Sequence, residues 1–391
     1  MADVQLHGHF DERFAPVTEA LLQNLNSGVE CGVSLVVDVA GEPVIDVYGG
    51  FADAARTRPW QRDTIVNVWS TTKTVTSLAA LMLVDRGLLD VDEPVATYWP
   101  EFAARGKDAV LVRHLMSHTS GVSGWDQPFV GSDMYDWSAS TARLAAQAPW
   151  WEPGTASGYH AHTFGHLIGE VIRRITGKSL KQFVADEIAG PLGADFQIGA
   201  REEDWPRCAE LTPPPPLPYE VEAAGPDSIL VKTLKGTDPD PLAPHSPGWR
   251  LADIGAANGH GNAASVARVM SAVSLGGTAH GVRLLSPETI ELIFREQAHG
   301  VDMFLGIPIR WGIGYALPDP SGVTFVPEGR TCFWGGWGGS MIIMDLGRRM
   351  TISYMMNAMK LGTIGSETAG IYTDAVYRCA GNLTQRATLS N

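Results

Sequence analysis

The sequence predicts an α/β plus all-α protein: an antiparallel sheet flanked by helices, built from both ends of the chain, with a helical domain inserted between them. Three observations predict this. Near the N-terminus, Gly32 to Val39 and Pro43 to Tyr48 are rich in β-branched residues on either side of Ala40-Gly41-Glu42, which reads as a hairpin. Strand-like runs return only late in the chain, at Trp311 to Leu317, Val323 to Val326, Thr331 to Trp334, Ser340 to Met344 and Met350 to Met356. Between Leu88 and about Ala200 the pattern is helical and loop-rich. The expected units are 1–66 with 280–391 for the sheet, and 67–279 for the helical domain.

Taken in order, Phe10 to Asn24 carries Phe14, Val17, Ala20 and Leu21 at three- and four-residue steps, an amphipathic helix ahead of the hairpin. A second helix runs from Ser70 to Arg86, with Gly87 suited to the left-handed position after its end. Leu111 to Ser117 reads as a short helix entering His118-Thr119-Ser120-Gly121. A longer one runs from Thr163 to Thr176 and stops at Gly177. Glu210 to Pro247, with Pro213 to Pro216, has few apolar anchors and is either a lid over a pocket or an unstructured spacer. Ala256 to Asn262 reads as a tight glycine-bearing turn into a helix with Val266, Val269, Met270 and Val273 on one face. Ser366 to Cys379 closes the chain as a helix.

Composition excludes several classes of function. At 391 residues and 45% hydrophobic content the chain can bury a large core. A net charge of −14, with no long Lys/Arg cluster, argues against nucleic acid or an anionic membrane as partner. Cys31, Cys208, Cys332 and Cys379 lack C-x-x-C spacing, so neither a zinc cluster nor a disulfide framework is expected. Asp3, Asp11 and Glu12 interrupt the stretch where a secretory signal would be apolar, and no segment reaches the ~18 apolar residues of a membrane span. The expected compartment is the cytoplasm. No cofactor and no metal is called for, and nothing in the sequence sets an oligomeric state.

The chemistry centres on Ser70-Thr71-Thr72-Lys73, an S-x-x-K spacing at the start of an apolar helical run. Residues i and i+3 share a helix face, so the Lys73 amine can fold back to the Ser70 oxygen. Free lysine titrates near ~10.4, and lowering it by ~3 units takes roughly 4 kcal/mol of environment. Val68, Trp69, Val75, Leu78, Leu81 and Met82 offer the apolar surroundings for that. At a helix N-terminus the Ser70 N–H also lies where an oxyanion could be held.

Such a hydrolase needs a second proton carrier. Tyr159, on the Pro153-Gly154 loop before a helix, is the candidate, provided nearby cations depress its pKa. Trp334-Gly335-Gly336-Trp337-Gly338-Gly339 is a strand context with little side-chain bulk, suited to backbone approach to a substrate. Two other constellations were weighed. His162, His166 and Glu170 fall at four-residue steps and have metal-like spacing without a partner from elsewhere; His118 sits in a Ser/Thr/Gly corner that reads as structural rather than as a triad base. Trp125, Phe129, Tyr135, Trp137, Trp150 and Trp151 divide between core and pocket wall in a way the sequence leaves open.

In this order, Ser70 to Lys73, Asp90 to Val95 with Tyr98 to Phe102, Leu115 to Gly121, Tyr159, Asn258 to Gly261 and the Trp334-Gly335-Gly336 strand resemble the serine β-lactamase and penicillin-binding-protein superfamily, within it the family VIII carboxylesterases of class C β-lactamase fold. The resemblance implies a β-lactamase/transpeptidase-like fold, Ser70 as acylated nucleophile, Lys73 and Tyr159 as acid/base pair, and the N–H groups of Ser70 and Trp337 as oxyanion hole. Trp334, Gly335, Gly336, Trp69 and His160 are then the expected substrate-binding residues. Two departures stand out: the β-lactamases' Y-x-N has Ala161 for its Asn, and their K-T-G has Trp334 for its Lys. Both remove groups that hold a β-lactam's carboxylate and amide, so the expected substrate is a small neutral ester or lactone, with amide hydrolysis, acyl transfer, weak β-lactamase activity or a silent binding protein as alternatives. No G-x-S-x-G is present.

Overall fold

The computed structural model describes residues 4–218, 220–237 and 239–388, with side chains to residue 381. Met1 to Asp3 of the N-terminal stretch, and Tyr219 and Asp238 of the 210–247 excursion, lie outside the described residues. Nine strands form the main sheet: β1 (Leu6–Phe10), β2 (Gly32–Val39), β3 (Glu42–Gly50), β4 (Ala298–Val301), β5 (Pro308–Trp311), β6 (Ala316–Leu317), β7 (Thr331–Gly335), β8 (Met341–Asp345) and β9 (Met350–Met356). Their order is β1-β3-β2-β9-β8-β7-β6-β5-β4, antiparallel throughout. The N-terminal hairpin and the C-terminal meander join where β9 pairs with β2, from Met350 opposite Val39 to Met356 opposite Val33. β2, β7, β8 and β9 are buried almost throughout, which is why they read as continuous apolar runs rather than as an alternation.

Five helices frame the site: α1 (Ala15–Ser27), α2 (Thr72–Asp85), α3 (Thr163–Thr176), α4 (Ala263–Ser274) and α5 (Glu367–Thr388). α1 packs against α5, α4 lies on β2, β8 and β9, and α2 crosses between the sheet layer and α3. α2 is buried from Thr72 to Leu83, and each of Leu78, Leu81 and Leu83 contributes about 1.5–3 kcal/mol by burial. It ends at Arg86, followed by Gly87 at φ 68°. From 88 to 200 the elements are short helices and α3, and the one strand among the described residues is Gln197–Ile198. No helix among them is long and apolar enough to cross a membrane.

The structure corrects several elements. β1 is an edge strand that its polar Leu-His-Gly-His-Phe sequence hides. The first helix begins at Ala15 rather than Phe10, because the Asp11 carboxylate caps a preceding 3₁₀ turn over Glu12–Phe14. Val323 to Val326 is a turn, bracketed by Pro320 and Pro327, and the run from Trp311 to Leu317 breaks between β5 and β6. Gly259–Gly261 is the central strand of a small sheet with Val66–Asn67 and Gln197–Ile198 rather than a bare turn. Helix α4, inside the 67–279 unit of the sequence reading, packs on the sheet, so the sheet layer draws on the chain from Ala263 onward.

One buried acid ties the two ends of the chain together. Glu30 is fully buried, and the phenols of Tyr354 on β9 and Tyr372 on α5 both donate to its Oε1, the latter at 3.2 Å; Asn24 on α1 donates to the Tyr372 oxygen at 2.8 Å. Burial pushes the carboxyl up to about 7, against the pull of the Tyr354 hydrogen bond, Lys360 and the Tyr372 hydrogen bond. The folded chain therefore holds this proton more tightly than the unfolded chain, whose glutamate titrates near 4.5. That contribution is complete below the unfolded value and is lost as pH rises through about 7. Glu30→Gln, which keeps both phenol hydrogen bonds, is expected to raise stability at pH 8 by on the order of 2–3 kcal/mol and to leave it little changed at pH 4, as urea unfolding at the two pH values would measure.

Candidate active site

Ser70 sits in a 3₁₀ turn, Trp69–Thr71, that feeds α2. Trp69 adopts φ 48°, a left-handed conformation that costs an indole residue roughly 1–3 kcal/mol, so the turn must be held from outside. Val68 N–H donates to the Gly259 carbonyl at 2.9 Å, Gly259 N–H donates to Thr72 Oγ1 at 2.8 Å, and Ser340 Oγ donates to the Val68 carbonyl at 2.8 Å. The Trp69 ring is wedged edge-on between Trp249 and Trp337, with centroids 5.3 and 4.9 Å away. The Asn258-Gly259-His260-Gly261 segment is thus the clamp on the serine turn.

Lys73 is buried one turn further on. Its Nζ lies 3.0 Å from Ser70 Oγ and 2.8 Å from each of the Ala161 and Ala256 carbonyl oxygens. Burial alone drives its pKa well below the ordinary lysine value. A neutral amine has two N–H bonds and one lone pair; the two carbonyls accept the N–H bonds and the lone pair is left for the serine O–H. The Ala256 carbonyl is set in place by Asn258, whose Oδ1 accepts from Ile254 N–H and whose Nδ2 donates to the Trp249 and Ala252 carbonyls. Thr76 Oγ1 on α2 also donates to the Gly255 carbonyl at 2.6 Å.

Tyr159 completes the cluster. The Lys73 Nζ stands 4.7 Å from its ring centroid, and Trp334 Nε1 on β7 donates to the phenol oxygen at 3.1 Å. Contrary to the expected depression by cations, burial pushes the phenol above its ordinary value, outweighing the hydrogen bonds to Ser70 and Trp334. The nearby Lys73 does not offset this, because burial drives its own pKa well below the ordinary lysine value. Tyr159 is therefore a protonated phenol in the resting site, and Trp334 reaches it by hydrogen bond where a lysine would bring a charge.

The glycine strand edge packs directly on the serine turn. A Cβ on Gly336 would fall 2.3 Å from the Val68 carbonyl oxygen and 3.2 Å from the Ser70 nitrogen, so only glycine permits this approach. Gly336 N–H donates to Ser340 and Gly338 N–H to Gly362, whereas the N–H groups of Ser70 and Trp337 have no acceptor among the described residues. Gly335 is packed in the same manner against the Gly365 nitrogen.

Other expected residues fall elsewhere. His160, expected at the substrate, is fully buried: Nδ1 donates to the Gly158 carbonyl at 2.7 Å and Nε2 accepts from Ser120 Oγ at 2.6 Å. It is a strut of the Tyr159 loop, held neutral by burial at a pKa of about 3. His118 Nδ1 accepts from the His160 N–H at 3.1 Å and its ring packs on Tyr159, Phe164 and Trp311. Glu170 is turned to Arg173, Arg174 and Trp137 Nε1, and His166 Nε2 donates to the Met134 carbonyl, so the histidine-glutamate face has no shared centre. The Ala161 and Ala256 carbonyls have no side-chain signal in the sequence, and Asp302, whose carboxylate accepts from the Tyr159 N–H at 3.0 Å, lies 143 residues away from it outside any motif.

Comparison with known proteins gives the family. The Beta-lactamase family model matches residues 18–375. The chain belongs to the beta-lactamase family. It is 34% identical over 321 residues to the Esterase/beta-lactamase LipL of Mycobacterium tuberculosis, covering 80% of this chain and 74% of that one. Esterase EstB of Burkholderia gladioli is 29% identical over 374 residues, covering 88% and 90%. Among solved structures, a family VIII carboxylesterase superposes with a TM-score of 0.88 at 38% identity, over 96% of this chain and 100% of that one. A penicillin-binding protein homolog from Caulobacter crescentus gives 0.88 at 36% over the same shares. The chain is accordingly a serine hydrolase of the beta-lactamase family, with the antiparallel sheet and helical insertion of that fold.

Next to the serine turn, Trp69 and Trp249 form one wall of a cavity of about 220 Å³ whose lining does not include Ser70, Lys73 or Tyr159. The Pro-rich excursion supplies another wall through Thr237, Pro239, Leu242 and Ala243. Tyr135 and His162 line it too, whereas Trp125 and Phe129 stack on each other in the core at 4.4 Å. Asp240 is at the lining and no lysine or arginine is.

Proposed function

We propose that the protein is a serine carboxylesterase that hydrolyses short-chain acyl esters, lactones included, through an acyl-enzyme on Ser70. The observation that carries this is the buried Lys73 amine 3.0 Å from Ser70 Oγ, its pKa driven well below the ordinary lysine value by burial, with the Tyr159 phenol, whose pKa burial raises, beside it. The Ser70 oxygen attacks the ester carbonyl as its proton passes to the Lys73 lone pair. The carbonyl oxygen, now negative, accepts from the Ser70 and Trp337 N–H groups. Tyr159 gives its proton to the leaving alkoxide, and Lys73 then returns the proton it holds to the phenolate. In deacylation Lys73 takes a proton from the attacking water, Tyr159 delivers one to the Ser70 oxygen and Lys73 again returns its proton to the phenolate, so each half ends with the resting protonation restored.

The substrate class follows from the pocket. A cavity of about 220 Å³ with no lysine or arginine in its lining suits a short uncharged acyl group and offers a carboxylate nothing. The esterase names of LipL, EstB and the family VIII carboxylesterase support the same reading. A series of p-nitrophenyl esters from acetate to dodecanoate, with a lactone and a penicillin alongside, tests it. The expected kcat/KM is highest at two to four carbons, falls by at least ~10-fold by eight, and exceeds that for the penicillin by more than ~10²-fold. Fastest turnover at the long chains, or a penicillin turned over as fast as butyrate, would refute the proposal.

A further inference from the structure

Against the Tyr159 loop lies a carboxyl group that neither the composition nor any motif singles out. Asp302, in the turn between β4 and β5, is fully buried. Its Oδ1 accepts from the backbone N–H groups of Tyr159 at 3.0 Å, Phe304 at 3.0 Å and Leu305 at 3.1 Å, and its Oδ2 faces Trp311 Nε1 at 3.4 Å. Every partner is an N–H donor, which is the environment of an ionised carboxylate. The same turn is tied to the phenol's loop a second time, where Met303 N–H donates to the Ser157 carbonyl at 2.9 Å. Trp311 and Phe304, which the Asp302 oxygens anchor, are also the rings that face Tyr159. Trp311 lies parallel to it at 6.3 Å and Phe304 is tilted at 5.6 Å.

We infer that Asp302 is the positioning residue for Tyr159: its carboxylate fixes the backbone of the phenol-bearing loop and brings a negative charge close to the ring. This rests on the reading of Tyr159 as proton donor to the leaving group. The titratable groups packed against the ring or its loop are Lys73 from α2, His118 from the corner after the Val112–Met116 helix, His160 from the phenol's own loop, and Asp302. Burial holds Lys73, His118 and His160 uncharged, so Asp302 is the one formal charge among these four. A negative charge there opposes formation of a phenolate. It therefore keeps the proton on Tyr159 until an alkoxide, a stronger base, is present to take it.

The test is the dependence on leaving group. An alkyl ester such as ethyl butyrate expels a basic alkoxide that needs the phenol's proton, whereas p-nitrophenyl butyrate expels a phenolate that needs it far less. Asp302→Asn keeps an acceptor for the three backbone N–H groups and removes the charge; Asp302→Ala removes both. Rates are expressed per active site, counted by titration with an organophosphonate that labels Ser70, so that misfolded protein does not enter. Asp302→Ala is expected to lower kcat on ethyl butyrate by ~100-fold and on p-nitrophenyl butyrate by ~10-fold or less, with KM changed less than about threefold. Asp302→Asn is expected to lose ~10-fold and ~2-fold respectively, and to fall off at lower pH than the parent on the alkaline side. If Asp302→Ala does not fold, the Asp302→Asn values decide. Equal losses on the two esters, or per-site rates within about twofold of the parent on both, overturn the inference. Tyr159→Phe serves as the reference: if it leaves the ratio of the two esters unchanged, Tyr159 is not the proton donor and the parent reading falls with the inference.

Discussion

Changing Ser70 to alanine is expected to lower kcat/KM on p-nitrophenyl butyrate by ~10⁴–10⁶-fold, about 5–8 kcal/mol of transition-state stabilisation, with the fold and the thermal midpoint nearly unchanged. The size of the effect follows from the role proposed for the side chain, formation of the covalent bond, in which no neighbour can take its place. Ser70 Oγ lies 3.0 Å from Lys73 Nζ, and the turn that carries it is held by backbone contacts from Gly259 and Ser340 rather than by the hydroxyl, so its loss leaves the scaffold in place. Residual activity from the oxyanion donors and the pocket would remain above the uncatalysed rate. A Ser70→Ala enzyme within about tenfold of the parent would mean that another nucleophile is at work.

Replacing Lys73 is expected to be nearly as damaging, and the choice of substitute separates two roles. A lysine that acted by its charge would be served by arginine, whereas one that acts by its lone pair would not, because arginine stays protonated. Burial holds the Lys73 amine far below its ordinary pKa, so the lone-pair role is the one the site provides. Lys73→Met and Lys73→Arg are both expected to lose ~10³–10⁵-fold in kcat. Parent activity should be level across neutral and mildly alkaline pH and decline on acidification, as the amine takes up a proton and its lone pair is lost. The stability sign agrees: the unfolded chain binds this proton more tightly than the folded one, so the contribution of Lys73 to stability rises with pH, and Lys73→Met should remove that dependence. An arginine enzyme that keeps a tenth of the parent rate would contradict the base assignment.

The parts of the site legible in the sequence are those whose geometry is local. Ser70 and Lys73 are one helical turn apart, and i,i+3 spacing on a helix places their side chains together whatever the rest of the chain does. The sheet was legible because β2, β7, β8 and β9 are buried runs of β-branched, aromatic and other apolar residues, and the glycine edge because glycines at a strand end serve close approach better than packing; of the four, Gly335 ends β7, and Gly336, Gly338 and Gly339 lie in the turn to β8. What escaped is non-local or carried by the backbone. The Ala161 and Ala256 carbonyls that orient Lys73 have no side-chain signature, and Asp302 meets Tyr159 across 143 residues of chain. The direction of the Tyr159 shift depended on whether Lys73 keeps its charge, a property of three-dimensional burial. His160, next to the phenol in sequence, faces away from the substrate side, since consecutive residues of an extended loop project in opposite directions. Val323 to Val326 has strand-like residues, but its flanking prolines settle it as a turn.

The claim on which the rest depends is that the chain passes through a covalent intermediate on Ser70, formed with an uncharged lysine and a protonated phenol beside it. Rapid acid quenching during turnover of p-nitrophenyl butyrate, followed by intact-mass and peptide mass spectrometry, reads it most directly. A butyryl adduct confined to the peptide containing Ser70, absent from Ser70→Ala and accumulating in Tyr159→Phe, is the predicted result. An adduct on another residue, or one that persists in Ser70→Ala, would contradict it.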